Sequence, residues 1–185
     1  CAVDSAGNQL PYIDKIDYRR VADLEVLAVK QIAGEVDYGA ETVTMTKLTI
    51  YKENETKGNY NLRVGNLHRT SGVIFMNMTY SDESWRKVMR DIRFRQALNM
   101  AIDRKEIIDA VYFGYGDPST LNPNKYDAEG AKKLLDEMGM NKKDAEGFRL
   151  TPDGKPFSIL FESITNFFDM PPAMELYSQF WNAIG

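Results

Sequence analysis

Phe94, Ala97, Leu98 and Ala101 fall at i, i+3, i+4 and i+7, which places them on one stripe of a 3.6-residue helix. Asp103 follows as an N-cap, with Glu106 completing a capping box, and Ile107, Ile108, Val111 and Tyr112 give the next helix its apolar face. Gly114 and Gly116, followed by Pro118, stop that helix. The same period runs through Leu24, Leu27, Ala28 and Gln31, closed by Gly34. It returns over Ala131, Leu134, Leu135 and Met138, where Asp127 caps the helix and Gly139 ends it. Pro171-Pro172 opens a last helix with the stripe Ala173, Tyr177, Phe180, Trp181 and Ile184. Thr42 is placed to cap a further helix through Met45 and Leu48 that closes near Lys57-Gly58.

Elsewhere the period is two, or the apolar run is continuous. An extended segment lies within Leu10 to Tyr18, and Tyr60 to Val64 reads as a short strand. Gly72-Val-Ile-Phe-Met-Asn-Met78 has the pattern of a strand covered on both faces. Pro152-Asp-Gly154 predicts a turn between two strands, after which Phe157, Ile159 and Phe161 alternate with Ser158, Leu160 and Glu162. Ser81 to Arg90 is polar apart from Trp85 and reads as a connection. Strand and helix thus alternate over the first stretch of about 80 residues, the pattern of an α/β fold. No internal repeat or low-complexity segment stands out.

The composition narrows the chemistry. With 185 residues, 43% apolar and 27% charged, the chain has the profile of a folded globular protein. A net charge of −4 without a basic stripe argues against nucleic acid as a partner. No run approaches the ~18 apolar residues that suggest a membrane-crossing helix. One Cys and one His do not make the usual zinc set, and Cys1 with His68 is a poor nucleophilic pair. Asp14, Asp17 and Asp37 lack a spacing that would oppose two carboxylates across a cleft, so they read as solvated charge. Gly114-Tyr-Gly116 follows a helix and lacks the third glycine of a phosphate loop. Arg93, Arg95 and Arg104 read as helix-end salt-bridge partners, with a ligand carboxylate as the alternative, and Trp181 reads as core. Asn77, set among large apolar residues, needs a hydrogen-bond partner if it is buried, from the backbone or from a ligand.

The run Phe94-Arg-Gln-Ala-Leu-Asn-Met-Ala-Ile-Asp-Arg104, with Ile107-Ile108 and the Gly-x-Gly exit, resembles the signature of the family 5 solute-binding proteins. These are the oligopeptide and dipeptide receptors of bacterial ABC importers. Asp4 to Ile16, Gly34-Glu-Val-Asp37 and Tyr126 to Gly139 match the same family in the same order, so the resemblance spans nearly the whole chain. It implies an α/β fold of the periplasmic-binding-protein type II-like kind: two lobes, each with mixed sheets flanked by helices. Residues 1–85 would end the first lobe and residues 86–185 would start the second. The tract at Thr120-Leu121 is shorter than the family's, and the family continues beyond the last helix into another strand, so a partial two-lobe chain is expected. Asp4 to Ile16 resembles an internal part of the family, which makes Cys1 an ordinary residue rather than a lipidated one.

The function implied is capture of an oligopeptide outside the cytoplasm and its delivery to the permease subunits. Membrane contact would come only through the transporter or a lipid anchor outside this stretch. No bond is made or broken in such a role, so neither catalytic residues nor a cofactor or metal is expected. Asn77, Tyr80, Tyr115 and Asn166 are the candidate ligand contacts, Tyr115 because the Gly-x-Gly exit lies near the family's cleft. Rival readings are an oligosaccharide receptor of the same family, a peptide or glycan hydrolase, and a purely structural module.

Overall fold

The computed structural model describes residues 2–39, 43–65, 73–118, 125–162 and 170–185. Cys1, Thr42, His68, the Thr120-Leu121 junction and Asn166 therefore lie outside the described residues.

Among the described residues the chain forms eight α-helices. Helix α1 (Leu24–Ile32) starts where the Asp23 carboxylate accepts from Val26 N, and Gly34 follows its end at φ +77°. A single helix expected near 45–58 is instead a 3-10 turn (Met45–Lys47) followed by α2 (Leu48–Glu53) and α3 (Glu55–Gly58). The break has a local cause: Asn54 turns its amide back to the Ile50 carbonyl at 2.8 Å. Tyr51, whose hydroxyl donates to Gln31 Oε1 at 2.7 Å, is buried where these helices meet α1.

Helix α4 (Glu83–Arg90) occupies the stretch expected to be a connection. Asp82 caps it by accepting from Trp85 N at 3.0 Å, and Val88 and Met89 bury its apolar face. Helix α5 (Ile92–Met100) follows at once, capped by Asp91, and carries the expected stripe, with Phe94, Ala97, Leu98 and Ala101 all buried. Asp103 accepts from Lys105 N and Glu106 N to start α6 (Arg104–Tyr112). That helix stops one residue before its glycines, because Phe113 already adopts φ +54°. Helices α7 (Ala128–Glu137) and α8 (Met170–Asn182) lie where the periodicity places them. The main core is built by α4 to α8 around Phe94, Leu98, Ile107, Leu135, Tyr177 and Trp181.

Two extended segments lie against this core, and each uses one face only. Ile74, Met76 and Met78 pack inward, whereas Val73, Phe75 and Asn77 face out, with Phe75 90% exposed. The two-sided burial expected of residues 72–78 is thus corrected: the run is apolar apart from Asn77, but among its described residues, 73–78, only every second side chain meets the helices. Phe157, Ile159 and Phe161 likewise pack inward while Leu160 is exposed, as their alternation predicts. No strand ladder forms among the described residues, including 10–18 and 60–64; pairing there is limited to the isolated bridges Val3–Gln9, Lys143–Arg149 and Leu150–Pro156. The expected helices are therefore present, and no mixed sheet is seen among the described residues.

Those bridges close three loops of one design, a local repeat too short and too varied in residue type to stand out in the sequence. Asp4, Asp144 and Thr151 each donate their backbone N–H to the carbonyl four residues on, and accept from the glycine three residues on. Each side-chain oxygen then accepts the N–H of the fourth residue, at 2.8, 2.9 and 2.9 Å. The glycines, Gly7, Gly147 and Gly154, sit at φ +86°, +91° and +85°, the left-handed position such a loop demands.

Arg149, at the junction of the second and third loops, is buried. Its guanidinium donates to the carbonyls of Ile184 (2.8 Å) and Met140 (2.6 Å) and pairs with Asp136, joining the ends of α7 and α8.

Candidate functional site

The surface where residues 73–80 turn into α4 gathers more of the expected contacts than any other described region. The outward direction of Asn77 follows from the pleat that buries Met76 and Met78. Its Oδ1 accepts from Thr79 N at 2.9 Å and Thr79 Oγ1 at 3.2 Å, so the backbone partner expected for it exists, while its amide N–H groups face solvent. Three residues on, the Tyr80 ring lies 4.7 Å from that of Trp85 and remains 46% exposed. Trp85 is held from beneath: its Nε1 donates to Ser158 O at 2.9 Å, and its ring stacks on Phe157, which meets Phe94 edge-on. An exposed aromatic surface is thereby anchored to the core through three successive rings.

Two arginines of α4 fix the backbone of this surface. Arg86 Nη1 donates to the carbonyls of Tyr80 (2.6 Å) and Ser81 (3.4 Å), and Arg90 Nε donates to that of Met78 (2.8 Å). Neither these arginines nor Trp85 stands out in the sequence as a ligand contact. A helical signal is present in Trp85, Val88 and Met89, spaced i, i+3 and i+4, but a lone Trp in polar surroundings masks it.

Tyr115 is 53% exposed on the exit of α6, and no described hydrogen bond or ring contact joins it to Asn77 or Tyr80. Asn166, the fourth candidate, lies outside the described residues. The arginine expectations divide. Arg93 pairs with Asp91 at 2.7 Å, as expected of a helix end, whereas Arg95 and Arg104 donate to backbone carbonyls rather than to carboxylates. Burial lowers the pKa of the Arg104 guanidinium and raises that of the nearby Tyr177 phenol.

A separate hollow of about 300 Å³ opens between α5, α8 and residues 157–161. Its floor is apolar, with Phe161 stacked on Trp181 at 5.1 Å, and Ser158, Ser178 and Asn182 bring polar groups to it. None of the described candidate residues lines it.

Among the described residues no group of three His, Cys, Asp or Glu side chains is placed to bind a metal. Asp14, Asp17 and Asp37 are exposed, and Asp17 pairs locally with Arg19. The strongest carboxylate shifts belong to loop anchors. Hydroxyls of Ser84 and Thr151 hold Asp153 down to about 2, and Tyr12 and Asn8 hold Asp4 well below the usual range. No helix of the described residues is long and apolar enough to cross a membrane.

The model of the bacterial extracellular solute-binding proteins, family 5 (middle), matches residues 5–185, and the chain belongs to that family. It is 29% identical to a probable ABC transporter-binding protein of Deinococcus radiodurans over 88% of this chain and 30% of that protein. It is 28% identical to a periplasmic alpha-galactoside-binding protein of Rhizobium meliloti over 83% of this chain and 25% of that protein. Among solved structures it is similar to an oligopeptide-binding protein OppA, with a TM-score of 0.53 and 27% identity over 89% of this chain and 29% of that one. That likeness gives the chain a periplasmic-binding-protein-like fold. The chain thus spans between a quarter and a third of the length of these relatives.

Proposed function

We propose that this chain belongs to an extracytoplasmic receptor that captures short oligopeptides and passes them to the permease of an ABC importer. The observation that carries the proposal is the family match over residues 5–185. The exposed Asn77 and Tyr80, with the partly buried Trp85 behind them, support it, because an amide donor beside aromatic faces suits a peptide backbone and its side chains. Tyr115 and Asn166 are proposed as further ligand contacts. Residues 24–58 bury their own small set of side chains, while α4 to α8 share the main core, which supports two lobes. The division between them is proposed at residues 85/86, with Ile74, Met76 and Met78 packed against the later helices.

An oligosaccharide receptor is the second reading, favoured by the alpha-galactoside-binding relative. Thermal denaturation of the complete protein with a tri- to pentapeptide mixture, and separately with raffinose, tests both. A ligand at 100 times its Kd stabilises by about 2.7 kcal/mol. A rise with peptides alone supports the proposal; a rise with raffinose alone replaces it with the second reading.

A further inference from the structure

We propose that the Asp153–Gly154 bond is a site of isoaspartate formation, held back in the folded protein by the hydroxyls of Ser84 and Thr151. The sequence holds one Asp-Gly pair and no Asn-Gly pair. A glycine after an aspartate has no Cβ to shield its backbone nitrogen, so that nitrogen can approach the neighbouring carboxyl carbon. In the reaction the Gly154 nitrogen gives up its proton and bonds to Asp153 Cγ, while a carboxyl oxygen leaves as water and a five-membered imide closes. Water then opens the imide at one of its two carbonyls and returns either aspartate or isoaspartate. The two steps release and take up one water and need no other reactant. The third loop leaves room for them. Gly154 sits at φ +85° with no heavy atom within 4 Å of where a Cβ would stand, and the Asp153 side chain is 52% exposed.

Both reacting groups are nonetheless engaged. The nitrogen that must attack donates to Thr151 O at 2.8 Å. The carboxylate Oδ1 accepts from Ser84 Oγ and from Thr151 Oγ1 (2.6 Å), and Lys155 Nζ lies 3.6 Å from Oδ2. These donors favour the anion, whereas it is the neutral acid that loses an oxygen as water. Attack therefore waits on the opening of the loop's hydrogen bonds. Thr151 belongs to the loop itself, but Ser84 lies 69 residues earlier in the chain, buried on α4, and only the fold brings it to Asp153. The link matters in the other direction too. Isoaspartate adds one atom to the backbone at 153 and carries the carboxylate away from Ser84. The neighbouring Trp85 is held by a bond to Ser158 O, four residues beyond Gly154, so the change would reach the seat of that ring.

Ageing of the complete protein in mildly acidic, non-denaturing buffer tests the proposal, with a synthetic peptide of residues 149–158 aged beside it. Peptide mapping with isoaspartyl methyl labelling reads both. The peptide should accumulate isoaspartate at 153, and the folded protein should do so about tenfold more slowly, the factor given by about 1.4 kcal/mol of loop opening. Ser84→Ala should raise the folded rate severalfold. Isoaspartate at Asp4, which precedes Ser5 in the first loop, should not change in that variant. A peptide without isoaspartate at 153 would overturn the site, and equal rates in peptide and folded protein would overturn the protection. Neither comparison needs a variant. A Ser84→Ala rate no faster than the unaltered protein's would overturn the role given to Ser84, as would an equal rise at Asp4, which marks general loosening.

Discussion

The indole N–H of Trp181 donates to the carbonyl of Leu98 at 3.0 Å, joining residues 83 apart in the chain. The bond lies where α8 crosses the C-terminal half of α5, and the same indole stacks on Phe161 and Tyr177. Trp181→Ala should cost about 3–5 kcal/mol by opening a cavity, whereas Trp181→Phe should cost less because much of the packing survives. Urea unfolding of the two variants measures both.

Arg149 and Asp136 form a pair whose members are unequally placed: the Arg149 side chain is 5% exposed and that of Asp136 is 53% exposed. Removing the buried partner strips Met140 and Ile184 of their donor. Arg149→Met should therefore destabilise by about 3 kcal/mol, and Asp136→Asn by less than about 1 kcal/mol. Equal losses in chemical denaturation would show that the ion pair, rather than the carbonyl bonds, is what matters.

Asp153 links the third loop to α4 through Ser84. Hydroxyl donors favour its charged form, so its folded pKa, about 2, lies below the free value of 3.8. The stability it contributes is full above the free value and is lost as the pH falls through about 2. Carboxyl NMR titration should place Asp153 near 2, and Ser84→Ala should move it up toward 3.8. A titration unchanged by Ser84→Ala would contradict the assigned cause.

Gly34 and Gly147 share a positive φ but not their surroundings. A Cβ on Gly147 meets nothing within 4 Å, whereas one on Gly34 would collide with the Gly58 carbonyl oxygen at the end of α3. Gly147→Ala should cost about 1–2 kcal/mol from backbone strain alone. Gly34→Ala should cost more, and amide exchange should speed up across α1 and α3 while α5 stays protected.

How far the sequence disclosed this molecule depends on the kind of signal. The stripes of α5, α7 and α8 are legible from their 3.6-residue period, reinforced in α7 by Asp127 and Gly139 and in α8 by Pro171-Pro172. Helix α4 is hidden because Arg86, Lys87 and Arg90 outweigh a face of only Trp85, Val88 and Met89. The one-sided packing of residues 73–78 is not legible either: Phe75 is as apolar as its buried neighbours, and only the contacts separate them. Of the candidate site, Asn77 and Tyr80 come from the sequence and lie together. Trp85, Arg86 and Arg90 required the fold, since their bonds to residues 78–81 and 158 cannot be read from spacing.

Native mass spectrometry of the complete protein, purified without refolding, tests the central proposal most directly. The proposal predicts that the protein carries a mixture of short peptides whose masses appear on dissociation. A ladder of hexose masses in their place would contradict it and identify an oligosaccharide receptor.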